Sequence, residues 1–246
     1  MEILKKNLNF KSSFQFPCSY LSGKNEKRLY INLEDSEDKD ILISELTQKG
    51  FRRNFDHMYF PICEHCKLCI PTRISIKDFQ FSKSNKRNMK INSDLLLKEK
   101  ITNKNTERFE LFKSYCETRH NDSHMSKMNK IEFESFFYSS KNQIQIYDLV
   151  DCNQIIFGSI LVDLLQDGYS AVYSFFNPDF HHRGLGKNLV IQLVKKLKQK
   201  NLSYLYLGYW VKDSRKMDYK IMFNSLEIYI NGKWVKKEKI KSRFLL

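Results

Sequence analysis

The chain has 246 residues, 41% of them hydrophobic and 14% aromatic, which excludes a disordered chain and allows a sizeable core. Its 42 basic and 28 acidic residues give a formal charge of 42 − 28 = +14, a balance that suits a polyanionic partner such as nucleic acid, or else reflects a lysine-rich composition. No apolar run approaches the ~18 residues of a membrane span, and residues 1–14 lack the apolar stretch of a secretory signal. A cytoplasmic location with no membrane partner is therefore expected, and the six cysteines read as thiols or metal ligands rather than disulfides.

In chain order, residues 38–49 carry Ile41, Leu42 and Leu46 at helical spacing, and Gly50 is placed to end that helix. Residues 70–81 alternate apolar and polar from Ile74 onward, which predicts a strand. A basic patch of Lys83, Lys86, Arg87 and Lys90 follows. Residues 106–119 predict a helix, with Thr106 as cap and Phe109, Phe112 and Cys116 on one face. Residues 121–130 are polar and predict a loop. Residues 143–151, 154–165 and 168–176 then read as three consecutive strands joined by turns at Asp151-Cys152-Asn153 and Gln166-Asp167-Gly168, an antiparallel meander. A turn with two glycines leads into a helix from about Gly186 to Lys200, striped by Leu189, Leu193 and Leu197. Residues 203–210 predict a buried strand, and the last fifteen residues a basic tail that is mobile or touches nucleic acid. Three strands, a glycine turn, a helix and a further strand form the central order of the GNAT acyltransferases. The expected fold is α+β: a cysteine-rich N-terminal module over residues 1–95 and a GNAT-like domain over 96–246.

Four groups of residues can carry chemistry. Cys63, Cys66 and Cys69 repeat at three-residue spacing, so their sulfurs can converge on one centre, with Cys18 as the natural fourth ligand. Zinc or an iron–sulfur cluster is the expected occupant, against a reading as unmetallated buried thiols; no organic cofactor is expected. His181-His182-Arg183-Gly184-Leu185-Gly186-Lys187 stands between a strand and a helix, where backbone N–H groups can meet a phosphate, or where the chain merely turns tightly. Tyr209 and Trp210, followed by Lys212, Arg215, Lys216, Tyr219 and Lys220, interleave rings with cations, as the 3′ end of a nucleic acid requires or as a solvated basic face would show. Arg52 and Arg53, with Tyr59 and Arg73, offer paired N–H donors to a carboxylate.

Taken together, CSYL at 18–21, GFRR at 50–53, YFPICEHCKLCIPTRI at 59–74, SKSNKR at 82–87, YCETRH at 115–120, VYSFFNPDF at 172–180 and YLYLGYW…KMDYK…FN at 204–224 resemble the bacterial aspartate/glutamate leucyltransferases, which belong with the arginyl-tRNA–protein transferases. The resemblance covers nearly the whole chain. It implies transfer of leucine from leucyl-tRNA to the N-terminal Asp or Glu of acceptor proteins, marking them for degradation by the N-degron pathway. It also implies a metal centre on Cys18, Cys63, Cys66 and Cys69. On that footing Tyr209 and Tyr219 orient the ester or the terminal adenosine, and Lys216 and Lys220 neutralise phosphate together with Arg183, Gly184, Gly186 and Lys187. Arg52, Arg53, Tyr59 and Arg73 read the acidic acceptor, and His120 and Asp218 are the candidate general bases. Arginine as the donor amino acid, acetyl-CoA as the donor, and a non-enzymatic nucleic-acid-binding module are the competing readings.

Overall fold

The computed structural model describes residues 8–36, 38–100, 105–119, 124–138 and 143–239. The chain runs through β1 (Lys11–Ser12), β2 (Phe16–Pro17), β3 (Asn25–Glu26), β4 (Arg28–Asn32), α1 (Lys39–Gln48), β5 (Arg52–Asn54), β6 (His57–Pro61) and β7 (Cys69–Ser75). It continues with α2 (Lys83–Ile91), β8 (Leu96–Lys100), α3 (Thr106–Arg119), α4 (Lys130–Tyr138), β9 (Ile144–Val150), β10 (Ile156–Leu164) and β11 (Gly168–Phe176). The last elements are α5 (Leu185–Gln199), β12 (Tyr204–Val211), β13 (Leu226–Ile230) and β14 (Lys233–Lys236). Two compact units result, one from residues 1–80, 165–170 and 202–246, the other from 81–164 and 171–201. The α/β mixture agrees with the expected class. Among the described residues no helix is long and apolar enough to cross a membrane.

In the first unit β1, β4, β6 and β5 form a small sheet in that order. Its register sets Ile31 opposite Met58, and both are buried with Leu42, Ile43 and Leu46 of α1. Each such side chain contributes roughly 1.5–3 kcal/mol by leaving water. The strands β14, β13, β7 and β12 are neighbours in that order, and β12 pairs in parallel with the first residues of β11 through Gly168, Tyr169 and Ser170. The strand expected over residues 70–81 is Cys69–Ser75 and stops six residues short. The alternation past Ser75 is overridden by a turn, in which Phe79 N–H donates to Ile76 O and Ser75 Oγ donates to Asp78 Oδ2. The basic tail departs from expectation over residues 232–239, and residues 240–246 lie outside the described residues. Lys233–Lys236 is a paired strand, and the Trp234 indole N–H donates to Gln48 O at 2.8 Å.

In the second unit β9 pairs antiparallel with β10, as the turn at Asp151–Asn153 predicts, and also with β8, which the sequence reading does not foresee. An aromatic core fills the space against the helices: Phe133 of α4 lies 4.8 Å from both Phe112 and Phe137, ring centre to ring centre, and Phe175 closes the cluster. Helix α4 begins at the end of a stretch that reads as loop. Asn129 and Glu132 cap it reciprocally, side chain to backbone N–H in both directions. A buried Arg108 forks onto Asp148, and Ser159 Oγ donates to the same carboxylate, so that charge enters the core fully bonded. The leucines of α5 at 185, 189, 193 and 197 are all inaccessible to solvent.

Candidate active site

Strand β12 carries an irregularity that decides the site in the first unit. Its pairing with β7 steps from Tyr206 opposite Arg73 to Gly208 opposite Thr72, a bulge at Leu207. Gly208 has φ of 68°, and a Cβ there would lie 3.2 Å from Cδ and Nε of Arg52. Only glycine meets both conditions. Thr72 Oγ1 donates to Gly208 O at 2.9 Å, which pins the bulge.

Around Arg52 stand the phenols of Tyr59, Tyr20, Tyr209 and Tyr219, all near enough to act on its charge. Tyr209 is 1% exposed, and its hydroxyl proton is directed to Tyr59 O at 2.9 Å and Gly50 O at 3.1 Å. Burial pushes the Tyr209 hydroxyl well above the ordinary phenol range, so it remains a neutral donor. Its hydroxyl is thus engaged inside the unit and is not turned to an ester. Lys220 is 4% exposed, where an open phosphate-neutralising cation is expected. Its Nζ donates to Tyr209 O at 2.6 Å. Burial, and next the like charge of Arg52, hold its ammonium well below the ordinary lysine range. Tyr219, Asp218 and Lys216 lie on the exposed side of the same 3-10 segment, Arg215–Met222.

The other expected carboxylate readers are committed elsewhere. Arg53 is 4% exposed and donates to Phe55 O at 2.9 Å. Arg73 pairs with Glu227 at 2.8 Å, its cross-strand partner, and donates to Tyr206 Oη. Its guanidinium also lies 3.5 Å from the Tyr204 ring centre and 4.4 Å from that of Trp234. These two serve the fold, and Arg52 is the half-buried arginine at the bulge. The register that pairs Arg73 with Glu227 is not visible in a sequence. Glu26 and Arg28 escape the sequence reading altogether, and Tyr20 enters it only inside the CSYL motif: Arg28 bonds Glu26 at 2.5 Å and stacks 4.2 Å from the Tyr59 ring centre. Glu26 Oε2 is buried with no hydrogen-bond partner among the described residues.

Cys18, Cys63 and Cys66 all act electrostatically on Cys69. Burial first, then Glu26 and these thiols, push the Cys69 thiol up to about 12. The donor set has the chemistry of zinc or an iron–sulfur cluster. Its present geometry does not form a cage, because among the described residues no three Cys, His, Asp or Glu donors stand together as metal ligands do.

In the second unit the turn Pro178–Arg183 leads through Gly184, at φ of 61°, into α5. Gly186 is required by close packing, since a Cβ there would lie 2.8 Å from the Phe176 ring. Arg183, expected to meet phosphate, is bound inward: its guanidinium donates to Asn92 Oδ1 and Ile91 O and pairs with Asp94. Lys187 Nζ donates to Ser84 Oγ at 2.8 Å, and burial holds its pKa below the ordinary lysine value. His120 lies outside the described residues.

Residues 16–87 match the N-terminal model, and residues 107–230 the C-terminal model, of the arginine-tRNA-protein transferases. Over 219 residues, 89% of this chain and 90% of the relative, the sequence is 37% identical to an aspartate/glutamate leucyltransferase of Teredinibacter turnerae. A protein of the same name from Ruegeria pomeroyi is 37% identical over 89% of this chain and 80% of its own length. The chain belongs to the arginine-tRNA-protein transferase family. Among solved structures, FemX shares the fold at a TM-score of 0.50 and 9% identity, over 77% of this chain and 65% of that one. The N-terminal family stretch contains Cys18, Arg52 and Tyr59, and the C-terminal stretch contains the Gly184 loop, the Gly208 bulge and Lys220. Asn88, Asn92 and Asp94, which hold the Gly184 turn from α2 and the segment after it, fall between the two stretches.

Proposed function

We propose that the protein transfers leucine from leucyl-tRNA to the N-terminal Asp or Glu of acceptor proteins, in the cytoplasm, and so marks them for degradation. The observation that carries this reading is the 37% identity to leucyltransferases along nine tenths of both chains. The bulge site supports it, because Arg52 offers a planar cation to a carboxylate in surroundings made of phenols rather than water. In this reading Arg52 takes the acidic side chain of the acceptor, with Tyr59 beside it, and Tyr209 and Lys220 hold the strand that presents them. Exposed Lys216 and Tyr219 flank the ester, and the Gly184 loop and Lys187 are assigned to phosphates of the donor tRNA.

The chemistry asks little of a base. The acceptor's α-amine attacks the ester carbonyl carbon, and the bond from that carbon to the ribose 3′ oxygen breaks. The amine's proton ends on the departing ribose hydroxyl, and no water is consumed. With an α-amino pKa of about 7.7–8.0, roughly a tenth of the acceptor is already neutral at pH 7. Holding amine and ester together therefore supplies most of the rate. Asp218, exposed beside Tyr219, and His120 are the two candidates to accept the proton in this reading. The GNAT-like core and the functional halves at 1–95 and 96–246 belong to the same reading. The four thiols of Cys18, Cys63, Cys66 and Cys69 are assigned a structural zinc or iron–sulfur centre, and no step of the transfer runs through it.

The test is transfer of label from leucyl-tRNA or arginyl-tRNA to peptides beginning with Asp, Glu, Lys or Ala. Label from leucyl-tRNA on the Asp and Glu peptides alone is the expected result. Label from arginyl-tRNA alone would reassign the donor, and label on no peptide, beside an active control enzyme, would overturn the reading.

A further inference from the structure

Helix α2 divides its side chains sharply. Lys83, Lys86, Arg87 and Lys90 recur at i, i+3, i+4 and i+7, which places them on one face, and all four are exposed. The helix contains no acidic residue, so the four like charges repel one another without relief from their own helix. Lys83, in the first turn, also opposes the helix dipole. The dipole favours Lys90 in the last turn, but four cations on one face are not what helix formation asks for; a polyanion is.

The opposite face of α2 is built from amides. Asn88 Nδ2 donates to Arg183 O at 3.0 Å and to Gly184 O at 3.2 Å. Asn92 Nδ2 donates to Arg183 O at 3.0 Å, and Asn188 Nδ2 of α5 donates to Asn88 Oδ1 at 3.0 Å. Lys187 Nζ reaches Ser84 Oγ on α2. The cationic helix is thereby bolted, through its inward face, to the glycine turn that opens α5. A ligand held at that turn finds the helix that carries the cation stripe already fixed to it, so that only the exposed side chains are left to order.

We propose that the Lys83, Lys86, Arg87 and Lys90 face of α2 docks the phosphate backbone of the donor tRNA's acceptor stem. This rests on the transfer reading, and it assigns that partner a surface made of residues not named for the transfer step. From Lys83 to Lys90 the helix rises ~10 Å, the axial span of about three phosphates of one strand. Recognition by charge alone is independent of base sequence, as an enzyme that accepts several tRNAs of one amino acid requires.

The test is binding of uncharged tRNA, followed by fluorescence anisotropy across a salt series, to the full chain and to K83Q/K86Q/R87Q/K90Q. Glutamine keeps the helix propensity of lysine and arginine, and circular dichroism checks the fold. The dependence of log affinity on log salt is expected to flatten by about two to three, at roughly 0.7–0.9 for each phosphate that is no longer neutralised, with affinity near 0.1 M salt falling more than tenfold. A charge-matched control, K11Q/K24Q/K49Q/K233Q, changes four exposed lysines of the other unit and is expected to bind as the unaltered protein does. An acceptor-stem minihelix should show the same weakening, and a CCA trinucleotide should not. Unchanged slope in the α2 variant, or equal weakening in the control, would overturn the proposal. So would unchanged tRNA binding with abolished binding to vesicles of anionic lipid, which would assign the face to a membrane surface. Because uncharged tRNA needs no transfer, these results stand apart from the peptide-labelling assay: absence of transfer with intact, α2-dependent tRNA binding would sink the activity and not the surface.

Discussion

Gly208→Ala would place a methyl 3.2 Å from Arg52 and force a side chain into the left-handed region. The conformational cost is about 1–2 kcal/mol, and displacement of the guanidinium follows from the close approach. Urea unfolding should show that drop in stability, and transfer to an Asp peptide should fall at least tenfold through KM for the peptide; unchanged KM would remove Arg52 from acceptor recognition. Lys220 makes a prediction about pH. Its folded pKa lies well below the usual 10.5, so the unfolded chain binds the extra proton first as pH falls. Its contribution thus opposes folding at neutral pH and fades as pH rises through the window that ends near 10.5. Lys220→Met removes the titration, and the stability difference, unaltered protein minus variant, should therefore rise between about pH 7 and pH 9.5. Taking that difference cancels groups common to both proteins, such as the Cys69 thiol, whose raised pKa works in the opposite direction above about pH 9. A flat difference in chemical denaturation across that range would mean that Lys220 is hydrated and charged.

Periodicity made some elements legible and left others hidden. Helix α5 and strands β9 to β11 are readable because their apolar residues repeat at the period of the element, Leu189-Leu193-Leu197 being the plainest case. Helix α2 is hidden because its inward face is Asn85 and Asn88 rather than leucine, so its pattern shows only as a basic patch. The readable signal is its cap, Ser82, whose oxygen accepts from Asn85 N–H at 3.2 Å. In the same way Arg52 stands in a legible motif, but the internal engagement of Arg53, Arg73 and Arg183 depends on register and loop contacts that no local pattern encodes. The amide clamp is testable as an element. Asn88→Ala removes one of the two donors to each of the carbonyls of Arg183 and Gly184, which keep Asn92 Nδ2 and Asn188 N–H, and takes the acceptor from the buried Asn188 Nδ2, at a cost of about 1–3 kcal/mol. Asn88→Asp keeps the shape but turns an acceptor toward those carbonyls, and it should cost at least as much in urea unfolding. A smaller cost for Asp than for Ala would mean that packing, not donation, holds the turn.

At the scale of the whole chain, the charge of +14 acts on the two substrates unequally. A tRNA offers a run of phosphates, and every one neutralised releases a condensed counterion, so its affinity falls as a power of the salt concentration. The acceptor offers one side-chain carboxylate to Arg52, a short-range, partly desolvated interaction that screening weakens far less. Raising salt from about 50 to 200 mM should therefore raise KM for leucyl-tRNA by more than roughly tenfold. KM for an Asp-initiated peptide should change by less than about threefold, and kcat at saturation should hold. Steady-state transfer assays with each substrate varied in turn make the comparison. Equal salt sensitivity of both KM values would mean that the basic residues act as a general field rather than as a run of phosphate contacts. A KM for tRNA that ignores salt would mean that the donor is held by its aminoacyl end alone, with the lysines of this chain merely keeping it apart from its own copies.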